Sequence, residues 1–599
     1  MTHEEDVLGK AYDARLMRRL LVYLRPYRRS VLVALAAILA GAALQLVPPW
    51  LTLQVIDTYI PARDLDGLMT IGALYLATLV GEFLLEYVQT TTLQITGQRI
   101  MFDVRMEIYA HLQRLDIRFY DRNPVGRLMT RVTTDVDALN ELFTSGVVSV
   151  FGDVFALTAI MGAMLLLDWQ LALVAFAVIP FIATVTQWFR VHVRDTYRDV
   201  RTWIARINAF LQENITGMST VQLFRREKRN FSQFDEVNTE HMAANVRAIF
   251  YYAVFHPAIE ILTALATALI LWFGGGRVVD DTLTLGTLVA FIQYAQRLFR
   301  PIQDLSEKFN VLQAAMASSE RVFQLLDTRV DIRTPVVASA AALANAAEDA
   351  TVVRPPADVH IAFENVWFAY NDTDWVLRDV SFTVRPGERI GVVGATGAGK
   401  TTIINLLLRF YDVTKGRITF NGVDIRDLAL AQVRGLFGLV LQDVHLFSGS
   451  IAANVRLGDD AISDADVRAT LQAVNAEAFV DALGGIDAAV AERGATLSVG
   501  QKQLLSFARA LAFDPPVLVL DEATSSIDTD TELLIREALT VLMRGRTTIA
   551  IAHRLSTIQD MDRVLVFHKG ELRESGRHQE LLAERGIYRR LYDLQYTRG

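Results

Sequence analysis

Three segments carry residues suited to phosphate chemistry: GATGAGKT from Gly394 to Thr401, LSVGQ from Leu497 to Gln501, and VLVLDEATS from Val517 to Ser525. A glycine loop ending in Lys-Thr turns its backbone N–H groups inward and leads into the positive end of a helix, so it can cradle phosphates. Gly394, Gly397 and Gly399, with Thr396 and Ala398 between them, let the backbone come close. Lys400 reaches the β and γ phosphates, the Thr401 hydroxyl ligates Mg²⁺, and Thr402 continues into the helix. Val517 to Leu520 predicts a buried strand that delivers Asp521 to the Mg²⁺ shell. Glu522, directly after it, can orient or deprotonate the attacking water and is assigned as general base. The chemistry implied is binding and hydrolysis of a nucleoside triphosphate.

The loop needs a strand before it and a helix after it, and Ile390 to Val393 and Thr402 to Arg409 have those patterns. From His360 onward β-rich segments alternate with helices, the βα alternation of a parallel-sheet nucleotide domain. The rest of the chain is different. Its 599 residues exceed one ordinary domain, and a mean hydropathy of +0.27 with 52% hydrophobic residues is high for a soluble enzyme of that size. The excess lies before residue 305. Six apolar runs there approach or exceed the roughly 20 residues that cross a bilayer as helix: Val31 to Leu53, Leu68 to Thr90, Phe143 to Leu167, Trp169 to Trp188, Tyr252 to Phe273 and Leu283 to Phe299.

Charge orients these runs. Lys10, Arg15, Arg18, Arg19, Arg25, Arg28 and Arg29 crowd the segment before the first run, whereas the expected outer connections carry only Arg63 and Arg277. The N-terminus is therefore expected on the cytoplasmic side. Tyr12 to Tyr27 is amphipathic and basic, suited to a helix lying on the inner membrane surface. The first run is long and lacks a small-residue cleavage site, so no cleavable signal is expected. No cysteine occurs, which removes disulfides and thiolate metal sites. The net charge of −8, spread through both halves, argues against a nucleic-acid partner.

The polar stretches after the second and fourth runs read as helix, broken by turn chemistry at Asp121, Asn123, Pro124 and Gly126 in one and at Asn214 and Gly217 in the other. They predict spanning helices that continue into the cytoplasm as hairpins. The expected organisation is an α-helical membrane domain over 1–326 with an N-terminal interfacial helix, an Ala-rich and Pro-containing linker over 327–358, and an α/β P-loop ATPase domain over 359–599.

The segment from about 360 to 590 resembles the nucleotide-binding domain of ATP-binding cassette (ABC) transporters, with LSVGQ similar to their signature motif. With the six-run half in front, the chain resembles a half-transporter of the exporter type. The resemblance implies ATP and Mg²⁺ as ligands, Tyr370 as the aromatic that stacks on adenine, and Gln442 as the glutamine that senses Mg²⁺ and the membrane half. It implies His553 as the switch histidine at the γ-phosphate and Asp528 as a residue of the loop crossing to the other subunit. It also implies two such domains sandwiching two ATP molecules, with Ser498, Gly500 and Gln501 donating to a γ-phosphate bound by the partner. The hairpin tips near Phe119 to Val125 and Glu213 to Met218 resemble the family's coupling helices.

Val499 departs from the family pattern, which has glycine there. A β-branched side chain resists backbone dihedrals and close contacts that glycine permits, so the ATP site completed on the partner is expected to be weakened. One full and one altered half-site suits a chain that pairs with a different subunit. Within the spans, Glu82, Asp153, Glu260 and Arg297 fall about 20 Å below the outer ends, with His256 one turn further in. They read either as a polar ring favouring cationic amphiphiles, beside Phe255, Phe291 and Tyr294, or as a structural network tying helices together. The cargo expected is a small hydrophobic or amphipathic compound moved across a prokaryotic inner or plasma membrane. Lipid or peptide export, or siderophore import, shares the architecture, while a soluble cassette ATPase is disfavoured by the apolar half.

Overall fold

The computed structural model describes residues 13–333, 358–371, 374–522, 529–552 and 558–596. They form two compact units. One comprises residues up to Gln113 and Val125–Thr328, the other Arg114–Pro124 and the chain from Arg329 on.

The first unit is helical. Helix α1 (Ala14–Val22) starts at Asp13, whose carboxylate accepts from the Arg15 N–H, and buries Met17 and Leu20, as an amphipathic helix should. Helices α2 (Arg28–Leu44) and α3 (Val47–Gln54) make the first apolar passage. Pro48 and Pro49 fall in the first turn of α3, where a missing N–H breaks no helical bond. Helix α4 (Leu65–Leu112), capped by Asp64, runs for 48 residues, about 72 Å at 1.5 Å per residue, more than twice the ~30 Å of a hydrocarbon layer.

The chain then breaks where the turn chemistry predicts. Helix α5 (Ile117–Arg122) is capped by Asp116 and ends at Asn123. Helices α6 (Val147–Leu167) and α7 (Trp169–Phe176) meet at Asp168, which caps α7 by accepting from the Leu171 N–H at 2.8 Å. Helix α8 (Ile179–Thr216) stops at Gly217, and α9 (Met218–Leu223) forms the second hairpin tip. Helices α10 (Glu227–Val279) and α11 (Leu285–Leu326) complete the unit.

Among the described residues five helical stretches are long and apolar enough to cross a membrane: Arg25–Ala62, Leu65–Leu112, Val125–Leu167, Trp169–Thr216 and Glu227–Val279. The sixth run expected from sequence, 283–299, lies on α11, where Gln293, Gln296 and Arg297 interrupt the apolar residues. That helix does not reach the same apolarity by composition. Its Phe291, Tyr294, Ala295 and Leu298 are nonetheless buried with Leu171, Ala175 and Ile270 in the core of this unit.

The second unit is α/β. Strands β1 (Ile361–Ala369), β2 (Trp375–Val384), β4 (Lys415–Phe420) and β5 (Val423–Asp424) form an antiparallel sheet in the order β2-β1-β4-β5. A second sheet has the order β12-β11-β3-β10-β9-β6. Its strands are β3 (Arg389–Gly394), β6 (Phe437–Val440), β9 (Val517–Glu522), β10 (Thr547–Ala552), β11 (Arg563–His568) and β12 (Glu571–Gly576). All its pairs are parallel except β11 with β12. Strands buried on both faces read as continuous aliphatic runs, which is why VLVL and IGVV are so apolar. Two residues, Gly449 and Ser450, pair with Ala489 and Val490 in a further short ladder.

Candidate nucleotide site and membrane charges

The glycine loop leaves the carboxyl end of β3 and opens helix α12 (Lys400–Leu407). Open parallel sheets place ligands at these strand ends. Register brings the second element of the site to the same level: Ile551 of β10 pairs with Val392 on one side and Asp521 on the other. Asp521 therefore sits two strands from the loop, about 10 Å by strand spacing.

Two glycines are required by shape. A Cβ on Gly394 would lie 2.4 Å from the Phe567 carbonyl oxygen, and Gly399, at φ +97°, has Leu377 Cδ2 at 2.6 Å from the same point. A side chain at either position would collide with the neighbouring strands, against Phe567 or against Leu377 and Val376. Lys400 is buried, and its Nζ donates to the loop's own carbonyls, Gly394 O at 2.8 Å and Ala395 O at 3.2 Å. Burial pulls its pKa below the ordinary lysine value, opposed by the nearby charge of Asp521. An ammonium held by two neutral carbonyls and a carboxylate's field is poised to exchange the carbonyls for phosphate oxygens. Thr401 is exposed beside it and Thr402 is buried, so the loop has the donors and the open hydroxyl that a triphosphate requires, and Thr401 and Asp521 are the side chains that would hold a Mg²⁺ there.

Tyr370 follows β1 and is half-buried. Its ring stands edge-on to Phe368 and Tyr411, with centroids 4.9 and 5.1 Å away. Its hydroxyl meets Thr402 Oγ1 at 3.2 Å and accepts from Asn405 Nδ2 at 3.2 Å. The ring assigned to adenine is thus tied to the helix that begins at Lys400.

The signature residues sit at the start of helix α13 (Val499–Ala512). Ser498 and Gln501 form a reciprocal cap: Ser498 Oγ accepts from the Gln501 N–H at 3.2 Å, and Gln501 Oε1 accepts from the Ser498 N–H at 2.9 Å. The acceptors are used internally, leaving a hydroxyl hydrogen and an amide NH₂ to donate outward. Gly500 is buried beneath them. Val499 occupies the first helical position, is 57% exposed, and has no left-handed backbone. Glycine's backbone freedom is not used at this position, so the departure is one of side-chain bulk, a correction to the dihedral argument from sequence. Among the described residues no hydrogen bond or ion pair joins this cap to the glycine loop.

Gln442 is exposed in the loop after β6. Glu522 ends β9, pairing with Ala552, and its side chain lies outside the described residues, as do Asp528 and His553 entirely. Sequence reasoning missed Tyr411 and Asp121, whose side chains hydrogen-bond to each other. They are 290 residues apart, and no spacing rule could connect them.

In the helical unit the intramembrane charges pair differently from the ring expected. Arg297 Nη1 lies 3.8 Å from Glu82 Oε1 and donates to the Gln45 carbonyl at 2.6 Å. Asp153 pairs instead with Lys308, which lies beyond the end read for the sixth run because α11 continues unbroken through Pro301. Glu260 is exposed and, with Thr263, Thr267, Leu271 and Gln296, borders a groove of about 490 Å³. His256 lies against Tyr252 and Phe255, and Phe255 stacks on Phe189 at 4.1 Å.

A phosphate-binding loop at a parallel sheet, in one chain with several membrane-length apolar helices, defines a membrane-bound transport ATPase. Residues 31–302 match the family described as ABC transporter transmembrane region and residues 377–525 the family described as ABC transporter. A probable multidrug resistance ABC transporter ATP-binding/permease protein of Bacillus subtilis, YheH, is 37% identical over 89% of this chain and 77% of its own length. An ATP-dependent lipid A-core flippase of Syntrophus aciditrophicus is 34% identical over 97% of this chain and 94% of its own. The solved structure of a bacterial Atm1-family ABC exporter with ATP bound superposes with a TM-score of 0.75 at 28% identity, covering 95% of this chain and 98% of that one. The chain belongs to the ABC transporter family: it is an exporter-type half-transporter with an ATP-hydrolysing domain, and an integral membrane protein.

Proposed function

We propose that the chain is one half of an ATP-driven exporter of hydrophobic or amphipathic compounds, working by alternating access as two ATPase domains close on ATP and reopen after hydrolysis. The observation that carries the reading is the level placement of the Lys400 loop and Asp521 across β10, in a chain whose other unit is built for lipid. Asp521 and Thr401 would hold Mg²⁺, which would neutralise charge on the triphosphate; Glu522 is the residue suited to act on the attacking water, and His553 and Gln442 would contact the γ-phosphate and metal. Adenine lies on Tyr370. The domains follow the boundaries 1–326, 327–358 and 359–599, and the membrane is that of a prokaryote, with the N-terminus and ATPase domain cytoplasmic.

Ser498, Gly500, Gln501 and Asp528 serve a nucleotide bound by a second subunit. The exposed isopropyl group of Val499 lies on that same surface, and supports pairing with a different chain rather than a second copy. Exposed Ile215, Met218, Leu223 and Phe224 at the second hairpin tip are suited to a contact with that partner. A lipid as cargo is the second reading, favoured by the flippase among the relatives and by the groove beside Glu260, which offers one carboxylate and an apolar wall. Purifying the chain alone and measuring its mass and ATPase tests the pairing. A monomer with little turnover is expected; a lone dimer with full turnover abolished by Glu522→Gln would remove the heterodimer.

A further inference from the structure

The segment Arg114–Pro124 interrupts the helical unit in sequence yet belongs with the ATPase unit. Within that unit the Tyr411 hydroxyl hydrogen-bonds to the Asp121 carboxylate of α5, and the Arg118 guanidinium lies over the Tyr411 ring, 5.9 Å from its centroid. Tyr411 is almost wholly buried. Its ring meets Tyr370 at 5.1 Å and 89°, and Phe368 at 5.6 Å. Tyr370 in turn contacts Thr402 and Asn405 of the helix opened by Lys400. A continuous path of packed rings and hydrogen bonds therefore runs from a hairpin tip of the membrane helices to the ring assigned to adenine.

Edge-on aromatic pairs have a preferred geometry, and a buried hydroxyl on a carboxylate fixes the orientation of its ring. Moving α5 moves the Tyr411 edge against which Tyr370 rests. By reciprocity, a base stacked on Tyr370 biases the position of α5. We infer that Tyr411 is a positioning residue that reports occupancy of the base site to α5 through Asp121, and that α5 sets the affinity for the base in return. The inference rests on Tyr370 as the adenine platform and is independent of the cargo. The link from Asp121 through Tyr411 reaches the ring edge of Tyr370 and does not pass through Lys400, so the effect is expected to fall on the base far more than on the triphosphate.

The test uses the full-length chain in lipid nanodiscs, with Mg²⁺ and equilibrium binding of ATP compared with inorganic tripolyphosphate. Asp121→Asn and Tyr411→Phe each keep the local shape while weakening the link. Each is expected to raise the Kd for ATP about threefold, with the double variant no worse than either single one and tripolyphosphate unaffected. Tyr370→Ala is expected to weaken ATP further, again sparing tripolyphosphate. If Tyr370→Ala acts as expected but Asp121→Asn leaves ATP affinity unchanged, or weakens both ligands equally, the relay is wrong. If Tyr370→Ala has no effect, the stacking assignment falls and the relay falls with it.

Discussion

Arg19 grips Asp327 with both terminal nitrogens, at 2.7 and 2.8 Å, joining α1 to the residue that ends α11. The guanidinium also lies 4.1 Å from the centroid of Phe323, which stacks on Tyr23, and the Tyr23 hydroxyl donates to Glu107 of α4. Helix α1 is thereby held to two long helices at once.

Both partners of this pair are substantially exposed, so solvent screening limits its value, and Asp327→Asn is expected to cost only about 0.5–1 kcal/mol. Hydrogen bonding to Arg19 holds the Asp327 carboxyl below its ordinary 3.8. A depressed carboxylate pKa stabilises the fold above the unfolded value, and that contribution disappears as pH falls through the folded one. Thermal midpoints of the wild type and Asp327→Asn should differ at pH 7 and converge in strong acid. A difference that persists there would mean the carboxylate's charge is not what matters.

Asp168 does two things with one side chain: it caps α7 and binds Arg277, whose Nη1 lies 2.8 Å from both carboxylate oxygens. Asp168→Asn keeps an acceptor for the cap and loses the charge; Asp168→Ala loses both. Destabilisation of about 1 kcal/mol and about 2–3 kcal/mol respectively is expected, read from thermal unfolding in detergent. Equal losses would assign all of the effect to the ion pair.

Lys308 and Asp153 form a largely buried ion pair. Removing only the cation leaves a largely buried carboxylate without its lysine, and Lys308→Met is expected to cost about 3 kcal/mol, whereas Lys308→Met with Asp153→Asn recovers much of it. If the double variant is as unstable as the sum of the singles, the pair is not coupled.

Val499→Gly is a probe of the partner's site. Glycine at an exposed first-turn position lowers stability by no more than about 1 kcal/mol, so folding is retained. With the bulk removed, ATPase of the assembled transporter is expected to rise. An unchanged rate would show that the valine does not limit the second site.

The glycine loop, its strand and its helix were legible because a phosphate cradle needs a fixed order of residue types, and five of the six apolar runs were legible because hydrocarbon thickness fixes their length, the sixth falling on a helix too polar by composition. Hairpin breaks at Asn123 and Gly217 were also readable, since local turn chemistry dictates them. Pairings between distant residues were not. Arg297 lies beside Glu82, whereas Asp153, at a similar expected depth, is met by Lys308 from 155 residues away. The backbone at Val499 was likewise hidden, because Ser498 and Gln501 start a helix there and remove the need for glycine.

The central claim is that triphosphate hydrolysis at the Lys400 loop drives movement of a compound through the helical unit. Its most direct measurement is ATP-dependent accumulation of a fluorescent amphipathic dye in inside-out vesicles carrying the chain with its partner subunit, compared with Lys400→Ala and Glu522→Gln in this chain. Accumulation by the wild type that both variants abolish is the predicted result. Accumulation that continues undiminished in both would contradict it.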